Sequence, residues 1–430
     1  MDLETFSPLM SDEGQRLLDE VAEFGDYAPE RELALATRLR RDHPAPLVSA
    51  AMAQTRLRQR AGAKFGADAQ RMYFTPDGVE QATRATVAAH RADRFAARGV
   101  RRVADLCCGI GGDALALARA GIEVLAVDRS PLACAVTAAN ARALGLADRI
   151  EVRCADVTDV DVAGFDAVFV DPARRGGRGR VFNPEAYSPP LSWAVRAARR
   201  VPHAAVKVAP GIPHEVVPEE ADAEWVSDRG EVKEATLWFG GGPGRRATLL
   251  PGPHVLTGAA PGAAPRDGAS GTSGAPRPGG PRGPHGEGTA PVGPVARYLY
   301  EPDGAVIRAH LVARVAELVG GTLIDPAIAY VTSPDLVATP FATAYQVTDV
   351  LPFHLKRLRA LLRERGVGTA VIKKRGSAVE PEELRRRLAL SGPRSCVVIL
   401  TRVSGAPSML LAQPAPGAGG TGEAGEVGAG

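Results

Sequence analysis

The first part of the chain has apolar residues at helical spacing. Leu17, Val21 and Phe24 lie four and three positions apart, so they share one face of a helix. Pro44 interrupts the pattern, because proline cannot donate the backbone hydrogen bond that a helix interior needs. We therefore predict a small helical subdomain over residues 1–72.

From residue 101 onward, short apolar runs alternate with segments of helical spacing. The strand-like runs are RRVADL, IEVLAVD, RIEVRCAD, DAVFVD and AAVKVAP, and the helical segments include DALALARAG and SPLACAVTAANARALG. Strands that alternate with helices predict a parallel sheet covered by helices on both faces. The segment EWVSDRGEVKEATLWFG is typical of a closing antiparallel hairpin. The expected fold class is therefore α/β with a Rossmann-like sheet, and we assign this domain to residues 73–256.

Residues 257–294 are rich in glycine, proline and serine. Such a composition buries too little apolar surface to offset the chain entropy lost on folding, so we predict a disordered linker. Periodicity then resumes: YQVTDVL, GTAVIKK and SCVVILTRV are strand-like, and FHLKRLRALLRE and PEELRRRLAL have helical spacing. We predict a second, small α/β domain over residues 295–412 and a disordered tail over residues 413–430.

Composition narrows the classes of function. The chain carries 52 basic and 49 acidic residues, a net charge of +3, so a nucleic-acid surface has to be a local patch. The five cysteines show no C-x-x-C spacing and no accompanying histidine cluster, so we predict no metal site. No apolar run reaches the ~20 residues that span a bilayer, and the acidic N-terminus lacks the apolar core of a signal peptide. We therefore expect a cytoplasmic protein that does not engage a membrane.

A glycine-rich turn follows the first strand of the predicted sheet. The sequence DLCCGIGG at residues 105–112 leads directly into a helix. Glycine lets the backbone N–H groups of such a turn, and the N-terminus of the helix, come close to a ligand. Because dinucleotide-binding enzymes use a similar turn, the glycines alone do not identify the ligand.

Acidic residues stand at the ends of four successive predicted strands, at Asp105, Asp128, Asp156 and Asp171. In open α/β sheets, ligands bind at the carboxyl ends of the strands. A carboxylate at Asp128 can accept hydrogen bonds from both hydroxyls of a ribose, and one at Asp156 can accept from the amino group of an adenine. Acidic residues also cap helices and populate loops, but four at matching positions favour a ligand site.

These motifs resemble those of class I S-adenosylmethionine-dependent methyltransferases over about residues 73–240. More narrowly, FTP at residues 74–76, the D-x-C-C-G-x-G-G run and TLWFG at residues 236–240 are similar to the trimethylguanosine-synthase branch. IKKRG at residues 372–376 is similar to the last domain of bacterial methyltransferases that carry a THUMP-like domain. The resemblance implies S-adenosylmethionine as the cofactor, with Asp105 directed toward its cationic amino-acid end.

The resemblance also assigns roles to residues. The cofactor-binding candidates are Asp105, Cys107, Gly109, Gly111, Asp128, Arg129, Asp156 and Asp171. The catalytic candidates are Asp171, Pro172 and Arg174. Methyl transfer from a sulfonium is an in-line displacement, so the enzyme mainly has to align donor and acceptor. In this family the loop after the fourth strand performs that alignment for a nitrogen acceptor.

Two positions depart from the usual patterns. Cys107 stands where the common G-x-G-x-G has its first glycine, and DPAR at residues 171–174 replaces the (D/N/S)-P-P-aromatic of amino methyltransferases. Uracil-5 methyltransferases carry a nucleophilic cysteine after the fifth strand, whereas this chain has VKVAPG there. We therefore disfavour methylation of a pyrimidine carbon. Lys207, inside that apolar strand, either extends to the end of the sheet or takes part in the site.

Basic residues form two clusters that suit contact with phosphates. The RNA-binding candidates are Arg174, Arg175, Arg178, Arg180, Lys373, Lys374 and Arg375, although such clusters also occur as plain solvated surface. The favoured function is methylation of a base nitrogen in structured RNA, either tRNA or rRNA. Two alternatives stay open: methylation of a small molecule or protein, and a non-catalytic adaptor that binds S-adenosylmethionine and RNA.

Overall fold

The computed structural model describes residues 1–24, 29–173, 175–176, 179–180, 183–258 and 290–416. The chain forms two compact units. Unit 1 comprises residues 1–216 and 236–241, and unit 2 comprises residues 217–235 and 242–430. Both units combine helices with sheets, which confirms the predicted α/β class. No helix in the described ranges has both the length and the apolar character needed to cross a membrane.

Unit 1 begins with helices. They are α1 (Leu3–Phe6), α2 (Asp12–Glu23), α3 (Pro29–Leu39), α4 (Ala45–Phe65), α5 (Pro76–Gln81) and α6 (Ala85–Ala96), with 3-10 turns at Ser7–Met10 and Gly66–Gln70. The hydroxyl of Ser11 caps α2, and Leu17 and Val21 are buried as their spacing predicts, whereas Phe24 follows the helix and is exposed. The helices continue past the predicted boundary at residue 72, because Thr75 caps α5.

A parallel sheet follows in unit 1. Its strands are β1 (Arg102–Leu106), β2 (Glu123–Asp128), β3 (Ile150–Cys154), β4 (Ala167–Val170) and, after the short pair β5 (Arg175–Gly176) and β6 (Gly179–Arg180), β7 (His203–Val208). The connecting helices are α7 (Gly112–Arg119), α8 (Pro131–Ala143) and α9 (Leu191–Ala198), with 3-10 turns at Ala147–Arg149, Val157–Asp159, Pro184–Ala186 and His214–Val216. The parallel pairings give the order β7-β4-β1-β2-β3. The chain order reverses between β1 and β4, and in such sheets ligands bind outside the carboxyl ends of the strands at this point.

An extended segment, Tyr73 and Phe74, joins the N-terminal helices to this sheet. Two buried side-chain amides satisfy its backbone as a neighbouring strand would. Asn140 accepts from the Tyr73 N–H at 2.6 Å and donates to the Tyr73 carbonyl at 3.1 Å, and Gln54 does the same for Phe74 at 3.0 and 2.6 Å. Asn140 also donates to the carbonyl of Ile110, at 2.9 Å. These bonds fix the glycine-rich turn relative to the helices.

Unit 2 begins with strands β8 (Asp222–Asp228), β10 (Gly244–Leu250) and β11 (His254–Gly258). Strand β10 runs parallel to β8 and antiparallel to β11. Strand β9 (Glu231–Phe239) starts in unit 2 as the neighbour of β8 and ends in unit 1 as the neighbour of β7. The adjacent positions of β8 and β9 confirm the predicted closing hairpin.

A seven-stranded sheet forms the rest of unit 2. Its strands are β12 (Tyr298–Pro302), β13 (Thr322–Leu323), β14 (Val331–Ser333), β15 (Ala342–Pro352), β16 (Val367–Lys374), β17 (Arg394–Val403) and β18 (Ala406–Pro414), in the order β13-β14-β12-β15-β18-β17-β16. The helices are α10 (Gly304–Arg308), α11 (Val312–Leu318), α12 (Leu355–Glu364) and α13 (Pro381–Leu388). Leucines of α12 and α13 share one core with β16, β17 and β18. The strands and helices predicted in this region are confirmed, including the helix that starts at Pro381.

The ends of the predicted linker and tail are ordered. Strand β11 includes residues 257 and 258, and the Gly293 N–H donates to the Leu323 carbonyl at 2.9 Å. Residues 259–289 of the linker lie outside the described part. Strand β18 continues to residue 414, and the Ala415 N–H donates to the Ala344 carbonyl at 3.0 Å. The predicted bounds of the linker and the tail were wrong at these ends. Composition shows which segments are too polar or glycine-rich to form a core, but it does not show which of their end residues form backbone hydrogen bonds with a neighbouring strand.

The division at residue 256 also differs from the observed one, since β8, β10 and β11 belong to unit 2. These strands are held there by the segment that starts α10. The Ser227 hydroxyl bonds to the Asp303 carboxylate at 3.0 Å. A Cβ added at Gly304 would come within 2.6 Å of the Val232 side chain. Such packing between segments far apart in sequence leaves no local signal in the hydrophobic pattern.

Candidate functional site

The glycine-rich turn after β1 has three residues in the left-handed backbone region. Cys107 has φ 68°, Gly109 has φ 58° and Gly111 has φ 84°. A Cβ added at Gly111 would lie 2.8 Å from the Cγ2 atom of Thr137, so both the backbone conformation and the available space require glycine there. Cys107 adopts the same conformation with a side chain, at a cost of about 1–2 kcal/mol. Strain of this kind is characteristic of functional sites.

Asp105, the fourth residue of β1, is fully buried. Neither carboxylate oxygen has a hydrogen-bond partner within the described part of the chain. Burial raises the pKa of this carboxyl well above its usual range, and the nearby charges of Asp113 and Asp171 raise it further, while Arg91 opposes them. A buried carboxyl without a donor is costly, so this position favours the approach of a cationic ligand.

Asp113, in the first turn of α7, is buried but paired. Its Oδ1 atom accepts from Arg91 Nε at 2.9 Å. Arg91 donates to Thr236 Oγ1 at 3.2 Å and lies over the Phe169 ring at 4.3 Å from the centroid. Burial alone would raise the pKa of Asp113, but the charges of Arg91 and Lys207 bring it below its ordinary value.

Lys207 projects from β7 into the same region. Its ammonium group donates to Asp171 Oδ2 at 2.7 Å and to Thr83 Oγ1 at 2.9 Å. The Lys207 side chain is 5% exposed, whereas that of Asp171 is 25% exposed. The Lys207 ammonium group is therefore paired with Asp171, one of the predicted site residues. Asp113 is paired with Arg91 and Asp171 with Lys207. Asp105 has no such ion pair among the described residues, so its negative charge is not neutralised when it is ionised.

Asp128, at the end of β2, faces the glycine-rich turn. Its Oδ2 atom accepts from the Gly109 N–H at 3.0 Å and its Oδ1 atom from the Ser130 N–H at 2.8 Å. Each carboxylate oxygen retains a second lone pair, so both can still accept from a pair of neighbouring hydroxyls. The geometry thus suits a ribose diol held over the turn.

Asp156 lies after β3 and is exposed. Its Oδ1 atom accepts from both the N–H and the hydroxyl of Thr158, at 2.9 and 2.7 Å. These hydrogen bonds, the backbone one first, lower the pKa of Asp156, and the charge of the exposed Arg129 adds to the effect. Asp156 therefore caps the 3-10 turn Val157–Asp159. This cap uses only its Oδ1 atom.

The structure brings most of the predicted cofactor residues together. Asp105, Cys107, Gly109, Gly111, Asp128 and Asp171 line the carboxyl ends of β1, β2 and β4. Sequence reasoning missed Arg91, Thr83 and Asp113. Arg91 lies one helical turn from Val87 and Phe95 on the buried face of α6, and a charged residue at an apolar position was the available signal.

The predicted RNA contacts fall into two groups. The side chains of Arg174, Arg175, Arg178 and Arg180 lie outside the described residues. In unit 2, Lys373 and Arg375 both pair with Glu301, at 2.6 and 3.8 Å, and Lys374 pairs with Glu380. These three cations are therefore partly neutralised within the protein.

The thiols of the turn are poor nucleophiles. Burial raises the pKa of Cys107 and of Cys108 well above the usual range, and the carboxylates around the turn add to the effect. Because the thiolate is the reactive form of cysteine, neither residue suits covalent attack on a substrate.

Comparison with known proteins gives the family. A family described as methyltransferase domain matches residues 103–173, one described as THUMP domain-like matches residues 342–414, and a domain of unknown function matches residues 2–61. An uncharacterized S-adenosylmethionine-dependent methyltransferase of Mycobacterium tuberculosis is 34% identical over 361 residues, which cover 81% of this chain and 91% of the relative.

Two further matches support less: one shows only a common fold, and the other covers only a short part of the chain. A crystal structure of a candidate methyltransferase from Porphyromonas gingivalis W83 superposes with a TM-score of 0.69 at 20% identity, covering 93% of this chain and 98% of that one, and shows a common fold. A 23S rRNA (uracil(1939)-C(5))-methyltransferase of Acidithiobacillus ferrooxidans is 36% identical over 80 residues, 17% of this chain and 18% of that protein. From the long match to the mycobacterial relative and the geometry of the β1 turn, the chain belongs to the S-adenosylmethionine-dependent methyltransferases, with a THUMP-like domain at residues 342–414.

Proposed function

We propose that the protein methylates a nitrogen atom of a base in structured RNA, tRNA or rRNA. The observation that carries this proposal is Asp171, a carboxylate at the end of β4 that is 25% exposed and held by Lys207, whose ammonium group also donates to Thr83. The acceptor nitrogen has to be presented at this edge of the sheet, beside the residues that hold the methyl donor. The carboxylate is suited to accept a hydrogen bond from an acceptor N–H and, after transfer, its proton.

S-adenosylmethionine, when bound, supplies an electrophilic methyl group on its sulfonium. The residues of the β1 turn fit this cofactor. Asp105 would hold its ammonium group, because the carboxylate is buried without any donor in the described part of the chain. The glycines at 109 and 111 would allow the backbone to come close to the cofactor, and Asp128 would accept from the ribose hydroxyls. Asp156, with Arg129 beside it, would accept from the adenine amino group with its remaining oxygen.

A nitrogen acceptor is favoured over a carbon acceptor. Attack on the 6-position of a pyrimidine needs a thiolate, and the thiols of Cys107 and Cys108 have strongly raised pKa values. Strand β7 offers Lys207 instead, and that ammonium group is engaged with Asp171. Pro172 is buried directly after Asp171 and restricts the backbone of the acceptor loop. Arg174 stays a candidate for contact with the acceptor or its phosphate.

An RNA substrate is supported by the THUMP-like domain and by the local likeness to a 23S rRNA methyltransferase. It also agrees with the basic residues of the acceptor loop, Arg174, Arg175, Arg178 and Arg180. We assign substrate docking to the domain predicted at residues 295–412. The narrower likeness to the trimethylguanosine-synthase branch stays a prediction, as does a cytoplasmic location.

Purified protein incubated with radiolabelled S-adenosylmethionine and bulk RNA from a deletion strain tests the proposal. We expect label in one N-methylated nucleoside after digestion and mass spectrometry. Asp171→Asn should bind the cofactor normally and lose this activity, while the matched control Asp161→Asn, an exposed acid paired with Arg200, should keep it.

Other outcomes identify the alternatives. In a parallel incubation with whole extract of the deletion strain, label in a protein or small-molecule fraction, with none in RNA, would replace the RNA hypothesis by the second candidate. Cofactor binding without any transfer would favour the adaptor. A label on carbon rather than nitrogen would contradict the role given to Asp171.

A further inference from the structure

Positive charge is concentrated in one stretch of unit 2. Residues 353–394, which include α12, β16 and α13, contain 12 basic and four acidic residues, whereas the whole chain has 52 basic and 49 acidic residues. This stretch thus carries a net charge of +8 in a protein whose total is +3. A local excess of positive charge of this size favours the binding of a polyanion.

Six of the twelve cations of this stretch are paired with carboxylates of the protein. The ion pairs are Arg365–Asp349, Lys373–Glu301, Arg375–Glu301, Lys374–Glu380, Arg385–Glu382 and Arg387–Glu383. Among the residues that the structure describes, no acidic side chain lies within ion-pair distance of the other six, which are Lys356, Arg357, Arg359, Arg363, Arg386 and Arg394. Lys356, Arg359 and Arg363 are the three of these that follow one another along a single helix at helical spacing.

These three residues form one face of α12. They are spaced by three and four positions, so they lie in a row on the same side of the helix. Leu358 and Leu362, on a different face of the helix, are fully buried in the core that α12 shares with β16, β17 and β18. We call Lys356, Arg359 and Arg363 the basic row. Like charges at this spacing destabilise a helix.

We propose that the basic row binds the phosphate backbone of the RNA substrate, an inference that rests on the proposed function. Its three cations lie along two turns of a helix, with Lys356 and Arg363 exposed and Arg359 partly exposed between them, which suits a partner with several anionic groups in succession. Two of the three are arginines, whose planar guanidinium matches phosphate oxygens in pairs.

A membrane surface fits this helix less well. An interfacial helix needs a broad apolar face to enter the bilayer. In α12 the apolar positions Leu358 and Leu362 are buried in the protein, and Leu355 and Leu361 are partly buried against the same core. RNA is therefore the partner to which we commit.

The test compares two variants of the full-length protein. K356Q/R359Q/R363Q removes the charges of the basic row. R314Q/R385Q/R387Q removes three exposed arginines of unit 2, each paired with a glutamate of its own helix. Binding to bulk RNA from the deletion strain is measured over a range of salt concentrations. The melting temperature of the basic-row variant should not fall, because its substitutions relieve repulsion.

Each phosphate contact contributes about 0.7–0.9 to the slope of log K against log salt. We expect the slope of the basic-row variant to fall by roughly 2–3, and that of the control to stay unchanged. For methylation, we expect a raised KM with an unchanged kcat. An unchanged slope, or loss of binding to anionic phosphatidylglycerol vesicles with RNA binding intact, would overturn the inference.

This experiment separates the two proposals. If the wild-type protein methylates RNA and the basic-row variant matches it in KM and salt slope, the inference about the basic row is wrong and the proposed function is supported. If no RNA is methylated but the salt slope drops in the basic-row variant alone, RNA binding by the basic row is supported and the proposed reaction is wrong.

Discussion

Replacing Asp105 by asparagine is expected to stabilise the protein without its cofactor and to weaken cofactor binding. The carboxyl is fully buried, and neither of its oxygens has a hydrogen-bond partner in the described ranges. Asparagine keeps the shape and removes the charge. Leaving a buried polar group unsatisfied costs about 1–3 kcal/mol, and more when it is charged. At roughly 2–4 °C per kcal/mol for a domain of this size, we expect a rise in Tm of several degrees at high pH.

The effect has a defined pH dependence. Burial raises the pKa of Asp105 in the folded state above its ordinary value of 3.8. The protonated, neutral form therefore contributes a stability that is fully present below the unfolded pKa and is lost as pH rises through the folded pKa. The Tm difference between Asp105→Asn and the wild type should be small near pH 4 and should grow as the pH increases.

Bound cofactor should offset the higher Tm of Asp105→Asn relative to the wild type. An ionised Asp105 gains its missing partner in the ammonium group of S-adenosylmethionine, whereas asparagine gains much less. Thermal melts from acidic to alkaline pH, with and without S-adenosylmethionine, measure both effects. We expect the cofactor to raise the Tm of the wild type by more than that of the variant, and the gap to widen with pH.

Asp166→Asn is the matched control. Its carboxylate accepts from the N–H groups of Arg101 and Arg102, at 2.8 and 3.0 Å, and the first of these bonds lowers the pKa of Asp166. Its stability contribution is present above the unfolded pKa and is lost as pH falls through the folded pKa, so this variant should be destabilised at neutral pH. If Asp105→Asn gains no stability at high pH, or binds the cofactor as tightly as the wild type, the reasoning about the unpaired carboxyl is wrong.

Three further outcomes are expected. Lys207→Met removes the cation that holds the acceptor-side carboxylate and should lower kcat by about 100-fold through misalignment; cofactor affinity from calorimetry should stay normal, and undiminished turnover would refute the role. Gly111→Ala forces a methyl group to 2.8 Å from Thr137 and should cost about 1–3 kcal/mol of stability in denaturant titrations. Gly121→Ala, with a similar φ but open space, isolates the backbone strain. Brief iodoacetamide treatment followed by peptide mapping should modify the exposed Cys154 first; faster labelling in the β1 turn would reopen a covalent mechanism.

The sequence predicted the sheet because its signals are local. Each apolar run of unit 1 contains enough residues to identify a strand, and the acids at Asp105, Asp128 and Asp171 follow directly from where those runs end. The chain order of a parallel sheet then brings these ends to one edge. Predicting the fold class, and the edge of the sheet at which these acids lie, therefore required no knowledge of long-range contacts.

Other parts of the site depend on contacts that no local pattern records. Arg91 and Asp113 meet across two helices, and Lys207 reaches Thr83 from a strand 124 positions later. The sequence noted Lys207 as unusual but could not choose its partner. The basic row could not be predicted from the sequence for a similar reason. The sequence does not show which cations of unit 2 form ion pairs and which do not.

The two amides that satisfy Tyr73 and Phe74 determine how this protein can be divided. Each one donates and accepts at the same time, and neither an aspartate carboxylate nor a leucine can replace both functions. A fragment that begins at residue 73 would retain Asn140 but lose Gln54, leaving the peptide groups of Phe74 without partners. Residue 73 is therefore a poor starting point for a recombinant fragment. Gene fusions and truncations that keep the cofactor domain have to keep the N-terminal helices with it.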